Sequence, residues 1–219
     1  NYNYQKGMKE IIQESKNFLK PKDIGTDSDR ALLLDFQATL EIKPEKAIKL
    51  EKDALAQIEN ITADNARLVS NLHANLGGLY RMNGHPDLAR EHMEKSISLL
   101  DQFNLLHIND SIPQIANYAM FLTEQQEPER GISELQKLSG IIKEYHSDDC
   151  LDYAKVQETL GTIYLMTANL PQAKTHFKRA FKIYEKIWAD EPEMIEAKYQ
   201  EIQELYPQIG FCETMRKSL

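Results

Sequence analysis

Three polar side chains recur at one spacing along the chain and could hold a peptide backbone. Asn75, Asn117 and Thr159 are separated by 42 residues each time. A carboxamide both donates and accepts hydrogen bonds, so it can pair with an N–H and a C=O group of an extended peptide. The pattern therefore favours binding over bond-breaking chemistry, with capping, cross-linking between repeats or simple solvation as the alternative role of such a side chain.

One short segment comes nearest to a metal or catalytic cluster. Residues 146–150 are His-Ser-Asp-Asp-Cys. We interpret them as a loop in which Asp148 or Asp149 caps the next helix, because no second cluster supplies further metal ligands.

The six histidines are scattered, and the shared repeat position of His92 and His176 argues for packing. No nucleophile-elbow, phosphate-loop or zinc-protease motif occurs. The sequence thus predicts no enzyme, no metal and no cofactor.

Composition argues against several kinds of partner. Lys and Arg total 26 and Asp and Glu total 34, and the net charge of −8 would repel a nucleic-acid backbone. No stretch approaches the roughly 20 apolar residues of a membrane span. Cys150 and Cys212 lie far apart and are expected to be reduced thiols. We therefore expect a cytoplasmic domain without nucleic-acid or membrane partners. Because the chain begins at Asn1 without Met, we also expect it to be part of a longer protein.

The elements that position these residues repeat with the same period. Pro44, Pro86 and Pro128 are 42 residues apart, and Pro171 follows at 43. Small residues occupy two matching columns, which contain Gly77, Ala119 and Gly161 before the prolines and Ala47, Ala89, Gly131 and Ala173 after them. Small side chains let antiparallel helices pack closely, and each pair must stack on the next to bury its apolar face. The first repeat departs from the pattern with Asp35 and Glu51, since the other repeats have small or apolar residues there.

The repeat predicts the organisation of the whole chain. Each unit is a helix A, a turn that ends at a proline, and a helix B. We predict one repeat domain over residues 1–219, with an N-terminal helix at 1–20 that resembles half a repeat. Repeats follow at 28–60, 65–101, 111–145 and 150–188, and a capping helix and tail at 192–219.

Two of these repeats carry a recognisable motif. His73-x-x-Leu76-Gly77-x-x-Tyr80 followed by Ala89-x-x-x-Met93 resembles the tetratricopeptide pattern. Gln157-x-x-Leu160-Gly161-x-x-Tyr164 followed by Ala173-x-x-x-Phe177 resembles it more closely. The longer period is similar to that of kinesin-light-chain repeats. The resemblance implies an all-α fold, namely a right-handed superhelical solenoid of antiparallel helix pairs with helices A along its concave wall.

The resemblance also implies a set of binding residues. In peptide-binding members of the family, an asparagine before the Leu-Gly or Tyr-Ala pair holds the ligand backbone. The corresponding wall gives a predicted peptide-binding groove that contains Asn71, Asn75, Arg81, Asn117, Thr123, Lys155 and Thr159. Arg81 suits a carboxylate, with a surface salt bridge as the alternative. The first repeat adds an apolar patch of Leu32, Leu33, Phe36 and Leu40, which we favour as the seat of the N-terminal helix over an anchor pocket for a ligand.

The function expected from these features is a non-enzymatic scaffold that binds a protein or peptide in the groove. Two alternatives stay open. The array could be a sensor for a signalling peptide that regulates an attached DNA-binding or nucleotide-hydrolysing domain, or it could mediate self-association through its terminal helices. The fold supports all three functions, so the choice depends on the site.

Overall fold

The computed structural model describes residues 25–205, and every regular element within that range is an α-helix. The helices are α1 (Asp27–Thr39), α2 (Pro44–Leu55), α3 (Ala66–Met82), α4 (Pro86–Gln102), α5 (Ser111–Glu124), α6 (Pro128–Tyr145), α7 (Leu151–Met166), α8 (Leu170–Ile187) and α9 (Pro192–Leu205). The all-α fold predicted from the sequence is confirmed. The predicted N-terminal helix at 1–20 and the tail at 206–219 lie outside the described residues.

The helix boundaries follow from local chemistry. Proline is the first residue of α2, α4 and α6, where its missing N–H costs nothing and its fixed φ suits a helix. Those three helices begin without a side-chain N-cap. The first helix begins differently, because Thr26 and Asp29 form a capping box in which each side chain bonds the backbone N–H of the other.

Helices A of three repeats end in the same left-handed turn. Gly84, Gln126 and Ala168 have φ values of 72°, 64° and 60° and are 42 residues apart. The next residue in each case donates its N–H five positions back, for example from Asn169 to the Tyr164 carbonyl at 2.7 Å. This is the Schellman arrangement, which satisfies carbonyls that the helix end leaves free. Glycine, which adopts a positive φ without strain, occupies the position in one of the three repeats.

In three of the helix pairs, the helices touch where the small residues lie. A Cβ at Gly77 would be 2.6 Å from Met93 Cγ, one at Gly131 2.6 Å from the Ala119 carbonyl oxygen, and one at Gly161 3.0 Å from the Phe177 ring. Large side chains such as Met93 and Phe177 are buried against these glycines. The columns of small residues therefore set the distance between helices A and B.

The described residues fall into two compact units that divide between Leu106 and His107. The first contains α1 to α4, with a core that includes Ala31, Leu34, Ala54 and Leu72. The second contains α5 to α9. The prediction of a single repeat domain over residues 1–219 stays a prediction. Across residues 25–205, none of the helices is long and apolar enough to cross a membrane.

Within the second unit, the last helix packs on α7 and α8 through apolar and polar contacts. Tyr199 of α9 stacks on Phe181 of α8 with ring centroids 4.1 Å apart. Lys198 Nζ lies 2.9 Å from Glu158 Oε1, and the other Glu158 oxygen accepts a hydrogen bond of 2.6 Å from the Tyr184 hydroxyl. Glu158 therefore ties α7, α8 and α9 together.

Candidate functional site

In the first unit, Asn75 is bound to two carboxyl groups of the protein itself. Its Nδ2 donates to Asp35 Oδ1 on α1 at 2.8 Å and to Glu51 Oε1 on α2 at 3.2 Å. The amide thus joins three helices of the unit. It is also held in a fixed orientation, because both of its N–H bonds are used. We call these three residues the Asp35–Glu51–Asn75 cluster.

Burial controls the electrostatics of this cluster. Glu51 is 1% exposed, and its Oε2 atom accepts no hydrogen bond from the described residues. Burial and then the Asp35 charge raise the pKa of Glu51 to about 9. Burial also raises the pKa of Asp35, although hydrogen bonds from Glu51 and Asn75 oppose that effect. At neutral pH, Glu51 is accordingly a neutral carboxylic acid that shares its proton with Asp35.

Sequence reasoning missed Asp35 and Glu51 as members of a site. The signal was present, since both acids occupy columns in which the other repeats have small or apolar residues. Two acids that replace core residues in the same repeat must find polar partners in the fold. Asn75 belongs to the next repeat, however, so only the packing of the two repeats shows where those partners are.

In the second unit, Asn117 is in a different situation. It is exposed on α5, and the structure gives its side chain no hydrogen bond to any residue of the described range. Thr159 occupies the same repeat position on the neighbouring α7, where its hydroxyl donates to the Lys155 carbonyl at 2.9 Å. Thr123 donates in the same way to the Ala119 carbonyl at 2.9 Å. Asn117 is thus the predicted groove residue whose donors and acceptor remain available within the described part of the chain.

The other predicted residues divide between the units. Asn71 and Arg81 lie with Asn75 on α3, are half-buried, and already have partners within the protein. Lys155 is exposed on α7 and is 3.8 Å from Asp152 one turn earlier, which is a weak surface pair. Three of the seven predicted groove residues therefore lie in the first unit and four in the second.

The predicted apolar patch of the first repeat is smaller than expected. Leu32 and Phe36 are about half exposed on α1. Leu33 is buried instead, as is its neighbour Leu34, because both lie on the side of α1 that packs into the unit. The patch therefore consists of Leu32 and Phe36, with Leu40 half-buried at the end of the helix.

The loop at 146–150 is structural, but its predicted cap was wrong. Cys150 is the N-cap of α7, and its Sγ accepts a hydrogen bond of 3.4 Å from the Tyr153 N–H. The helix begins at Leu151, too late for Asp148 or Asp149 to reach its first N–H groups. Asp149 instead pairs with Lys186 of α8. Within residues 25–205 there is no group of three or more His, Cys, Asp or Glu side chains that could hold a metal ion.

Two histidines fill equivalent positions between helices A and B. His92 Nδ1 lies 2.9 Å from His73 Nδ1, and its ring stacks on Tyr80. In the fourth repeat, His176 Nδ1 is 2.9 Å from Gln157 Oε1 and stacks on Tyr164. The repeat position thus holds a packed, hydrogen-bonded imidazole, in agreement with the packing role predicted from the sequence.

Replacing His73 by Gln is expected to reduce the acid sensitivity of the protein. Burial, reinforced by His92, lowers the pKa of His73 to about 4, while an unfolded histidine titrates near 6.5. The unfolded chain therefore binds the extra proton, and stability is lost as the pH falls from about 6.5 towards 4. In this variant, a glutamine faces His92 in the way that Gln157 faces His176. We therefore expect the free energy of unfolding that is lost between pH 7 and 4.5 to be about 1–2 kcal/mol smaller than in the wild type, after allowance for solvent screening.

Urea unfolding at several pH values measures this effect. His85→Gln is the matched control, because His85 is exposed and should leave the acid sensitivity of the wild type unchanged. An identical pH dependence in the His73 variant and the wild type would contradict the prediction.

The fold agrees with comparisons to known proteins. Residues 111–186 match the model of the tetratricopeptide repeat family. Those residues are therefore tetratricopeptide repeats, and the described chain has the fold of such a repeat protein. No curated protein matches the sequence.

Solved structures show the same fold. The kinesin light chain TPR-like repeats of Podosopora anserina are 13% identical, with a TM-score of 0.68 over 85% of this chain and 91% of theirs. BtubC (BKLC) from P. vanneervenii is 19% identical, with a TM-score of 0.66 over 82% and 72% of the two chains. MamA is 14% identical, with a TM-score of 0.57 over 84% and 92%. The resemblance to tetratricopeptide and kinesin-light-chain repeats is confirmed at the level of fold.

Proposed function

We propose that this chain is a non-enzymatic, cytoplasmic scaffold that binds a protein or peptide on the outward faces of its helices A. The observation that carries the proposal is the exposure of apolar side chains there. Leu32 and Phe36 of α1 are about half exposed, Met82 at the end of α3 is 80% exposed, and Met166 ends α7 in the equivalent position. Flexible methionines on a surface adapt to partners of different shape.

Asn117 supplies the polar part of the proposed surface. It lies one repeat before Thr159, on an adjacent helix of the same unit. An exposed carboxamide can bond both the N–H and the C=O group of a peptide unit. We include Thr123 and Lys155, the other predicted groove residues of this unit, in the surface, so the second unit would offer neutral polar groups and one cation to the ligand.

Photo-crosslinking in cells tests the proposal at the proposed face itself. A photoreactive residue in place of Lys155, on that face, should capture a discrete partner from cells of the source organism. The same residue in place of Gln136, exposed on helix α6, is the matched control and should not capture it. Excess unlabelled wild-type protein should compete for the partner.

Asn117→Ala should weaken that capture. Loss of two hydrogen bonds to a peptide backbone costs about 1–2 kcal/mol, which is about a 5- to 30-fold loss of affinity. The Asn117→Ala protein should therefore compete correspondingly less well than the wild type. Equal competition by both proteins, or the same crosslinks from positions 155 and 136, would refute binding on this face.

A further inference from the structure

We propose that the exposed side of helix α8 is a docking surface for an acidic segment of a partner protein. The surface is a row of cations that we call the α8 cationic band, and it consists of Lys174, Lys178, Arg179, Lys182 and Lys186. It lies on a helix B of the second unit and shares no residue with the face proposed above for helices A. The chain thus has a second interaction surface.

The five cations of the band share one side of the helix, and all five are exposed. At about 100° per residue they fall within a sector of about 140° around the helix axis, and they extend over about 18 Å of its length. Glu185 is the one acid in the sequence of this helix, and it is half-buried and accepts a hydrogen bond of 3.2 Å from the Tyr199 hydroxyl. The band is therefore a strip of positive charge on a chain whose net charge is −8.

Equivalent helices of the two preceding repeats lack this charge. The positions of Lys178 and Lys182 hold uncharged or acidic residues there, namely Gln136 and Gly140 on α6 and Glu94 and Ser98 on α4. Those helices form without the lysines, and like charges four residues apart on a helix repel each other and destabilise it. Packing therefore does not explain the band, whereas an anionic partner would relieve the repulsion.

A carboxylate of the chain itself already binds at one end of the band. Asp149 pairs with Lys186. The hydrogen bond and the charge of Lys186, together with the charge of Lys182, hold the pKa of Asp149 below its usual range. The three other cations of the band make no ion pair within residues 25–205. The band thus stabilises one carboxylate and leaves further cations accessible to others.

A cleft beside the band suits one acidic side chain of the ligand. It has a volume of about 320 Å³ and lies where α6, the loop after it, α7 and α8 meet. Its charged lining consists of three cations and two acids, namely Lys143, Arg179, Lys182, Asp148 and Asp149. Lys143 Nζ lies 5.1 Å from the centroid of the Tyr153 ring, which forms an apolar part of the lining. Because an arginine can bind a carboxylate through two parallel N–H bonds, Arg179 is the group that we expect to hold it.

A protein segment fits the band better than a nucleic acid or a membrane does. A nucleic acid is charged along its whole length, and the net charge of −8 would repel it beyond the band. An anionic membrane surface is wider than the band and would also meet the acids Asp148 and Asp149 beside it. Alternate side chains of an extended segment are about 6.6 Å apart, which is close to the roughly 6 Å between lysines four residues apart on a helix.

Two capped octapeptides test the surface with the full chain. Both are N-acetylated and C-amidated. One alternates glutamate with serine, and the other has glutamine in place of each glutamate. The backbone amide resonances of α8 report where a peptide binds, and a titration gives its affinity. A single-stranded oligothymidylate of eight nucleotides and vesicles that contain phosphatidylserine are titrated in the same way as alternative ligands.

We expect the glutamate peptide to shift the α8 amides and to bind at least about tenfold more tightly than the glutamine peptide at about 50 mM salt. This preference should be lost at about 1 M salt, where charges are screened beyond about 3 Å. Lys178→Gln/Lys182→Gln should weaken binding of the glutamate peptide at least about fivefold. Lys46→Gln/Lys49→Gln is the matched control, because it removes two exposed lysines from α2 and should leave binding unchanged.

Four results would each overturn the inference. They are equal affinity for the two peptides, equal weakening by the two double variants, no shift of the α8 amides at about 1 mM glutamate peptide, and tighter binding of the oligothymidylate or the vesicles through Lys178 and Lys182 than of the glutamate peptide. The last result would assign the band to a nucleic acid or a membrane instead of a protein.

Discussion

Replacing Gly131 by Ala is expected to destabilise the second unit by about 2–3 kcal/mol. The new Cβ would lie 2.6 Å from the Ala119 carbonyl oxygen and 3.2 Å from the Ala119 Cα. Both neighbours are backbone atoms of α5, which cannot rotate away as a side chain could. Helix α6 must therefore move outward, and the buried contacts that Leu135 and Leu138 make would loosen with it.

Gly140→Ala on the same helix is the matched control. A Cβ at Gly140 would meet nothing within 4 Å, and glycine inside a helix costs about 0.5–1 kcal/mol relative to alanine. The control should thus stabilise the protein by about that amount. Thermal or urea unfolding followed by circular dichroism measures both changes. A Gly131→Ala protein as stable as the wild type would show that the close approach at Gly131 does not limit the packing of α5 and α6.

The second large effect is expected from Glu51→Gln at alkaline pH. Burial raises the pKa of Glu51 to about 9, while an unfolded glutamate titrates near 4.5. Between these values the folded state holds a proton that the unfolded state has lost, so stability falls as the pH rises through this range. Gln cannot ionise, and its amide can donate to Asp35 as the protonated acid does.

We therefore expect the Gln variant to be about 2–4 kcal/mol more stable than the wild type near pH 9 and within about 1 kcal/mol of it near pH 5. Urea unfolding across this pH range provides the measurement. Asp53→Asn on the same helix is the control, because Asp53 is exposed and should leave the alkaline loss of stability in place. A variant that loses stability with rising pH as steeply as the wild type would show that Glu51 is not the group responsible.

The sequence determined the repeat and the helices that form it. Prolines at 42-residue intervals predicted where helices B begin, and α2, α4 and α6 begin at those prolines. The columns of small residues predicted where helices touch, and Gly77 and Gly161 lie at those contacts. These features were predictable because helix starts and helix faces depend on neighbours a few residues apart.

The sequence did not determine how equivalent residues are used. Asn75 and Asn117 occupy one repeat position, yet Asn75 binds two carboxyl groups and Asn117 is exposed. Asp35 lies 40 residues before Asn75, in another repeat, and the pair forms only when α1 and α3 pack side by side. Periodicity assigns a residue to a face of its helix, whereas the neighbour it meets there depends on the packing of separate helix pairs. The repeat could therefore be derived from the residues alone, and the acidic cluster required the tertiary structure.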